Sequence, residues 1–153
     1  MVYISVSYEG YVLSIDAHPV KNILNNIYLD ENGMLVIAID EVALPYYNDS
    51  TRPYFESGKI NQIGQTYFYY FGFDYPSFLL GKLYQIGDVI FTYNSYNDPE
   101  NDFGKIKKMG DVSIEYYDMD EDTLTRGRAR KVGDSILEYD EFGRITQMYK
   151  EEN

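Results

Sequence analysis

His18 is the single histidine of a 153-residue chain that contains no cysteine. Those two facts remove most nucleophilic chemistry. A cysteine–histidine couple cannot be assembled, and neither can a common zinc site, which draws on thiolates and imidazoles. A Ser-His-Asp triad would have to use His18, which stands beside Pro19 as a turn or capping residue would, and no GxSxG elbow supports one. No GxGxxG opens a helix, and no Walker sequence occurs. Paired carboxylates could serve glycoside hydrolysis, but with 25 acids in the chain spacing alone selects no pair. The chain is therefore expected not to be an enzyme, and no cofactor is expected.

The carboxylates gather in two stretches, Asn97-Asp98-Pro99-Glu100-Asn101-Asp102 and Asp118-Met119-Asp120-Glu121-Asp122. The second has the DxDxD spacing that opens a calcium loop, which makes Asp118, Asp120 and Asp122 the metal candidates. The pattern then departs from such a loop. Thr123 stands where the turn glycine would, and Ala129 stands where the closing glutamate would. A solvated acidic loop accounts for the same residues.

What positions these loops is an internal repeat. Gly58, Gly81, Gly104 and Gly127 are each 23 residues apart, and Gly64, Gly87, Gly110 and Gly133 follow each by six. The units run 58–80, 81–103, 104–126 and 127–142, with a partial unit at 143–149 that begins GRITQM. The second position is always basic (Lys59, Lys82, Lys105, Arg128, Arg144), and the thirteenth position of the full units is always tyrosine (Tyr70, Tyr93, Tyr116, Tyr139). Aspartate follows the second glycine at Asp88, Asp111 and Asp134, and Gln65 stands there in the first unit.

A glycine with a polar neighbour between two β-favouring runs is a two-residue hairpin turn, because such turns need a positive φ. With Gly87-Asp88 as the turn, Ile86 faces Val89, Tyr84 faces Phe91 and Lys82 faces Tyr93, all on one side of the pleat. A cation beside each tyrosine makes a structural ladder, worth about 0.5–1 kcal/mol per pair at exposed sites. The alternative use of the same column is a row of aromatic contacts to a ligand. Phe68, Phe91, Ile114 and Leu137 make one face apolar throughout, whereas the other grades from Tyr67 and Tyr69 to Ser113 and Glu115. Ile60, Leu83 and Ile106 fall on that second face unless a bulge shifts the register. Lys105, Lys107, Lys108, Arg128, Arg130 and Lys131 form either a local anion-binding strip or partners for Glu115 and Glu138.

The segment Tyr139-Asp140-Glu141-Phe142-Gly143-Arg144-Ile145-Thr146 resembles the tyrosine–aspartate (YD, or RHS) repeat, whose pattern is YDxxGR followed by an apolar residue and threonine. The match is close over 139–146 and loose over 58–149, where Tyr117-Asp118 precedes Gly127-Arg128 by a longer insertion. The resemblance implies β-hairpin geometry and carries no activity with it. The spacing is also similar to the aromatic hairpin repeats of choline- and glucan-binding modules, which rely on tryptophan, absent here.

Residues 1–57 differ in kind and read as a capping segment that blunts the open end of the sheet. Hairpins are expected around Glu9-Gly10 and around residues 30–33, and His18–Asn26 is the one stretch able to form a short helix. Residues 41–57 read as a long irregular connection. Aromatics make up 17% of the chain, with 18 tyrosines, which favours pleated sheet. The expectation is a single all-β domain, an antiparallel β-hairpin meander of about twelve strands in a curled or partly open sheet. No run spans a membrane and no signal peptide opens the chain, so a cytoplasmic location is expected.

Net charge is −12, shared equally between residues 1–57, with two bases and eight acids, and the remainder. Acidity on this scale argues against direct nucleic-acid binding and favours a basic partner. The expected function is a non-enzymatic protein-binding module, an acidic inhibitor or immunity-type protein that masks its partner. The alternatives are a carbohydrate- or cell-surface-binding aromatic repeat and, behind it, a nucleic-acid mimic. The partner-binding candidates are Tyr70, Tyr93, Tyr116 and Tyr139 on the sheet and Asp98, Glu100, Asp102, Asp120 and Glu121 in the loops.

Overall fold

Short apolar runs punctuated by glycine produce strands and little else. The computed structural model of the chain describes residues 1–98, 102–118 and 125–150. Among them are fifteen β-strands and a 3-10 turn at Ser77–Leu79. No helix among the described residues is long and apolar enough to cross a membrane. The strands form two open antiparallel sheets, one of five strands and one of ten.

The small sheet holds β1 (Val2–Val6), β2 (Val12–Ser14), β3 (Pro19–Leu24), β4 (Ile27–Asp30) and β5 (Leu35–Ile39), in the order β2-β1-β5-β4-β3. Both expected hairpins form, with Val6 opposite Val12 and Leu29 opposite Leu35. The stretch read as a possible helix is strand β3 and a tight turn, in which Asn25 takes a φ of 51° and Leu24 faces Ile27. β-Branched Val20 and Ile23 favour the extended chain, and pairing with β4 offers more than one isolated helical turn could.

The large sheet runs consecutively from β6 (Pro45–Tyr47) through the hairpins β7 (Ile60–Ile63) with β8 (Thr66–Tyr70), β9 (Leu83–Ile86) with β10 (Val89–Tyr93), β11 (Ile106–Met109) with β12 (Val112–Tyr116) and β13 (Ala129–Val132) with β14 (Ser135–Tyr139), to β15 (Ile145–Lys150). Fifteen strands form where about twelve are expected, and the expected single meander is divided between two sheets. Each hairpin closes on the second glycine of its unit. Gly87 takes φ 56° with Ile86 opposite Val89, and the aspartate after it keeps a negative φ, the pattern of a type II′ turn.

Residues 41–57 are not irregular throughout. Tyr47-Asn48 stands 23 residues before Tyr70-Phe71, so β6 occupies the place of a unit's second strand. Its loop closes as the others do. The Asn48 N–H donates to the Lys59 carbonyl at 2.7 Å and the Gly58 N–H to the Asn48 carbonyl at 2.9 Å, as at Asn94, Lys105 and Gly104.

A bulge recurs in the first strand of every unit. Pairing to the preceding hairpin skips Asn61, Tyr84, Lys107, Arg130 and Thr146. One extra residue reverses the alternation. Leu83 and Ile86, three residues apart, are both fully buried for that reason, and Ile60 and Ile106 turn inward with them. The small sheet covers this inward face, so that Ile4, Leu29 and Leu35 share one core with Ile86, Phe91 and Met109. It pairs with neither edge of the large sheet, which end at β6 and β15.

Candidate binding surfaces

The bulge also turns the third carbonyl of each unit toward the tyrosine of the same unit. Tyr70 donates its hydroxyl to Ile60 O at 2.8 Å, Tyr93 to Leu83 O at 2.7 Å, Tyr116 to Ile106 O at 2.6 Å and Tyr139 to Ala129 O at 2.6 Å. Lys59, Lys82 and Lys105 lie over the rings of Tyr70, Tyr93 and Tyr116, 4.8 to 5.3 Å from the centroids. Each donates Nζ to the first glycine carbonyl of the next unit, Gly81, Gly104 or Gly127. Arg128 lies over Tyr139 at 5.3 Å. Burial is the main cause that pushes all four phenols well above the ordinary tyrosine range, and it pulls Lys59 and Lys82 down.

Three rungs of this ladder are covered by the small sheet. The Leu83 N–H donates to Gly10 O at 2.9 Å, Ile106 to Tyr8 O at 2.7 Å and Ile145 to Glu31 O at 2.9 Å. Gly10 packs on Tyr93 and Gly33 on Tyr139, while the Tyr8 ring meets Tyr116 edge-on at 5.6 Å. Tyr116 is only 6% exposed. The fourth rung differs, because Lys59 and Tyr70 face a cavity of about 410 Å³ shared with Tyr11, Leu13, Tyr47 and Gly58. The tyrosine column thus packs inward along the array, and its first member lines a cavity.

Of the loop candidates, Asp98 accepts the Ser95 N–H and Lys107 Nζ, each at 2.9 Å, and these bonds, the backbone one foremost, hold its carboxyl below the usual range. Burial pushes the Asp102 carboxyl up, against the pull of Lys105. Asp118 is exposed. Glu100, Asp120, Glu121 and Asp122 lie outside the described residues. Among the described residues no group of three or more His, Asp or Glu side chains could hold a metal ion. His18 is exposed above β3, near Ser5 and Ser14, whose hydroxyls bond to each other at 2.9 Å.

Among the basic residues of the third and fourth units, Lys107 pairs with Asp98 at 2.9 Å, and Arg130 and Lys131 both approach Glu115, at 3.3 and 4.0 Å. Lys105 and Arg128 belong to the ladder.

The outer face of the large sheet changes character along the array, from exposed tyrosines at the β6 end to a buried Ile136 near the other. Cross-strand rows run Tyr46–Gln62–Tyr67 and Tyr69–Gln85–Ile90 at the β6 end, then Thr92–Lys108–Ser113 and Glu115–Lys131–Ile136 toward the other. Tyr46, Tyr67, Tyr69 and Ile90 are all exposed. The rim beside them adds exposed Tyr54, Phe73 and Tyr96, packed against Phe55, Phe78 and Phe103. Tyr67 and Tyr69 were legible as the second face. The rim clusters were not, because they arise from loops folding onto one another.

Comparison with known proteins gives no matching family model, no similar curated protein and no similar solved structure. The YD-like segment has a local physical logic of its own. Asp140 accepts the N–H groups of Phe142 and Arg144 at 2.8 and 2.9 Å and pairs with Arg144 Nε at 3.1 Å, closing a turn far shorter than those between the other units.

Proposed function

We propose that this chain is a non-enzymatic protein-binding module whose contact surface is the outer face at the β6–β10 end of the large sheet. The observation that carries this reading is the exposed strip Tyr46, Tyr67, Tyr69 and Ile90 on the outer face of the large sheet. Tyrosine supplies large contact area at low entropic cost and is enriched at binding hot spots. A net charge of −12 would steer the strip toward a cationic partner, as an acidic inhibitor or immunity-type protein requires.

The test is quantitative capture from the source lysate by the immobilised chain, set against two variants. Tyr67→Ser combined with Tyr69→Ser should abolish capture of a basic partner, and that capture should weaken with salt. Tyr116→Phe should leave capture intact. Undiminished capture by the Tyr67/Tyr69 variant would overturn the reading. A glycan retained at high salt would replace it with the carbohydrate-binding alternative.

A further inference from the structure

The two edges of the large sheet are complementary halves of one hairpin. β15 has the place of the first strand of a unit, with Arg144 and Ile145 at its second and third positions, and among the described residues its one strand partner is β14. β6 has the place of the second strand of a unit, with Tyr47 at the tyrosine position, and among the described residues its one strand partner is β7. In all four complete units the cation of the first strand lies over the tyrosine of the second. At the edges each is left without that counterpart. Tyr47 is 56% exposed, and Arg144 pairs with Asp140 at 3.1 Å and rests on Phe142 at 5.2 Å.

The first glycines of the units show the same gap. A cation of the preceding unit reaches Gly81, Gly104, Gly127 and Gly143. Around Gly58 a β-carbon would meet nothing within 4 Å. Gly58 and Tyr47 also line the cavity at the open end of the ladder. Val42 and Leu44, which precede β6, are 96% and 84% exposed, far more than apolar side chains facing a paired strand.

We propose that copies of this chain associate head to tail, β15 of one copy pairing antiparallel with the 43–47 strand of the next, so that Arg144 enters between the Tyr47 ring and the Gly58 carbonyl. The hairpin register then places Met148 opposite Ala43 and Gln147 opposite Leu44, as Ile86 and Gln85 stand opposite Val89 and Ile90. The Tyr47 hydroxyl then donates to the Ile145 carbonyl of the neighbouring copy, as Tyr93 does to Leu83 O. The interface is heterologous, and such contacts build rings where the rotation closes and filaments where it does not. It uses the sheet edges and the ladder face, so it stands or falls separately from the outer-face reading.

Because the chain has no cysteine, the pairing can be read by directed disulfides. Gln147→Cys and Leu44→Cys, both at exposed positions, are made as separate variants and mixed under mild oxidation, with salt present to screen the like net charges. Cα atoms directly opposite in a ladder are within disulfide reach. The expected product is the mixed dimer, formed in large excess over either self-dimer, and a mass for the unmodified chain that rises with concentration by light scattering. Arg144→Ser should lower that rise several-fold while leaving the circular dichroism of the fold unchanged. A mass that stays at 17.9 kDa to the solubility limit, or self-dimers as abundant as the mixed one, overturns the proposal. An internal disulfide in a chain carrying both substitutions at high dilution would show closure within one copy, and overturns it too.

Discussion

Gly10 rests on the hydroxyl end of Tyr93, where a β-carbon on residue 10 would lie 2.0 Å from Tyr93 Oη. The same two residues hold Leu83 from both sides. The Gly10 carbonyl takes the Leu83 N–H at 2.9 Å, and the Tyr93 hydroxyl donates to the Leu83 carbonyl at 2.7 Å. The bulge that frees these two groups of Leu83 is therefore also where the small sheet attaches. Hairpin repeat, buried tyrosine and covering sheet form one arrangement.

Gly10→Ala should be strongly destabilising. The residue has φ +90°, where an L side chain is strained, and the new methyl group displaces the Tyr93 ring. A loss on the order of 2–4 kcal/mol is expected from strain and overpacking together. Urea midpoints measure it. Adding Tyr93→Phe removes the nearest clashing atom, so the double variant should lose less than the two single losses combined. Additive losses would mean that Gly10 and Tyr93 are not in contact.

Tyr116→Phe tests whether the ladder is structural. It removes one hydroxyl and leaves the Ile106 carbonyl buried without that donor. The expected cost is about 1–3 kcal/mol, with no change in sheet content by circular dichroism. Tyr67→Phe, on the exposed face, should cost close to nothing. Equal effects at the two positions would refute the assignment of inner and outer faces.

Alkali should unfold the protein cooperatively. Burial raises the pKa values of Tyr70, Tyr93, Tyr116 and Tyr139 in the folded state, so the folded chain keeps protons that the unfolded chain releases. Their contribution to stability is complete below the unfolded tyrosine pKa of about 10 and is lost as pH rises through and beyond it. The ladder tyrosines should therefore ionise together with the loss of the β-sheet signal, read by phenolate absorbance and circular dichroism. A smooth titration with the sheet intact would contradict this.

Much of this was legible because the 23-residue register concerns backbone geometry. Positive φ at Gly87, the Ile86–Val89 pairing and the Lys82–Tyr93 contact all follow from local rules. The bulge was foreseeable only as a condition, since residues 60, 83 and 106 were apolar on a face that should have been outward. The covering sheet was not legible, because what places Gly10 on Tyr93 is contact between segments more than eighty residues apart. Nor was β6, although Tyr47-Asn48 keeps the repeat spacing. Its unit lacks a first strand, so no paired glycines announced it.

Ile90 and Phe91 test the register on one strand. They are neighbours in β10, yet Phe91 is 1% exposed in the shared core and Ile90 is 47% exposed on the outer face. Phe91→Ala should cost about 3–5 kcal/mol, as truncation of a buried aromatic does. Ile90→Ser should change stability by no more than about 0.5 kcal/mol. A one-residue slip would exchange the two faces, so reversed costs would place the bulge elsewhere in the unit. Because Ile90 lies beside Tyr69 across Gln85, the same substitution should reduce partner capture while leaving the fold intact. Stability and binding are then separated by adjacent residues, as an inward scaffold and an outward contact strip require.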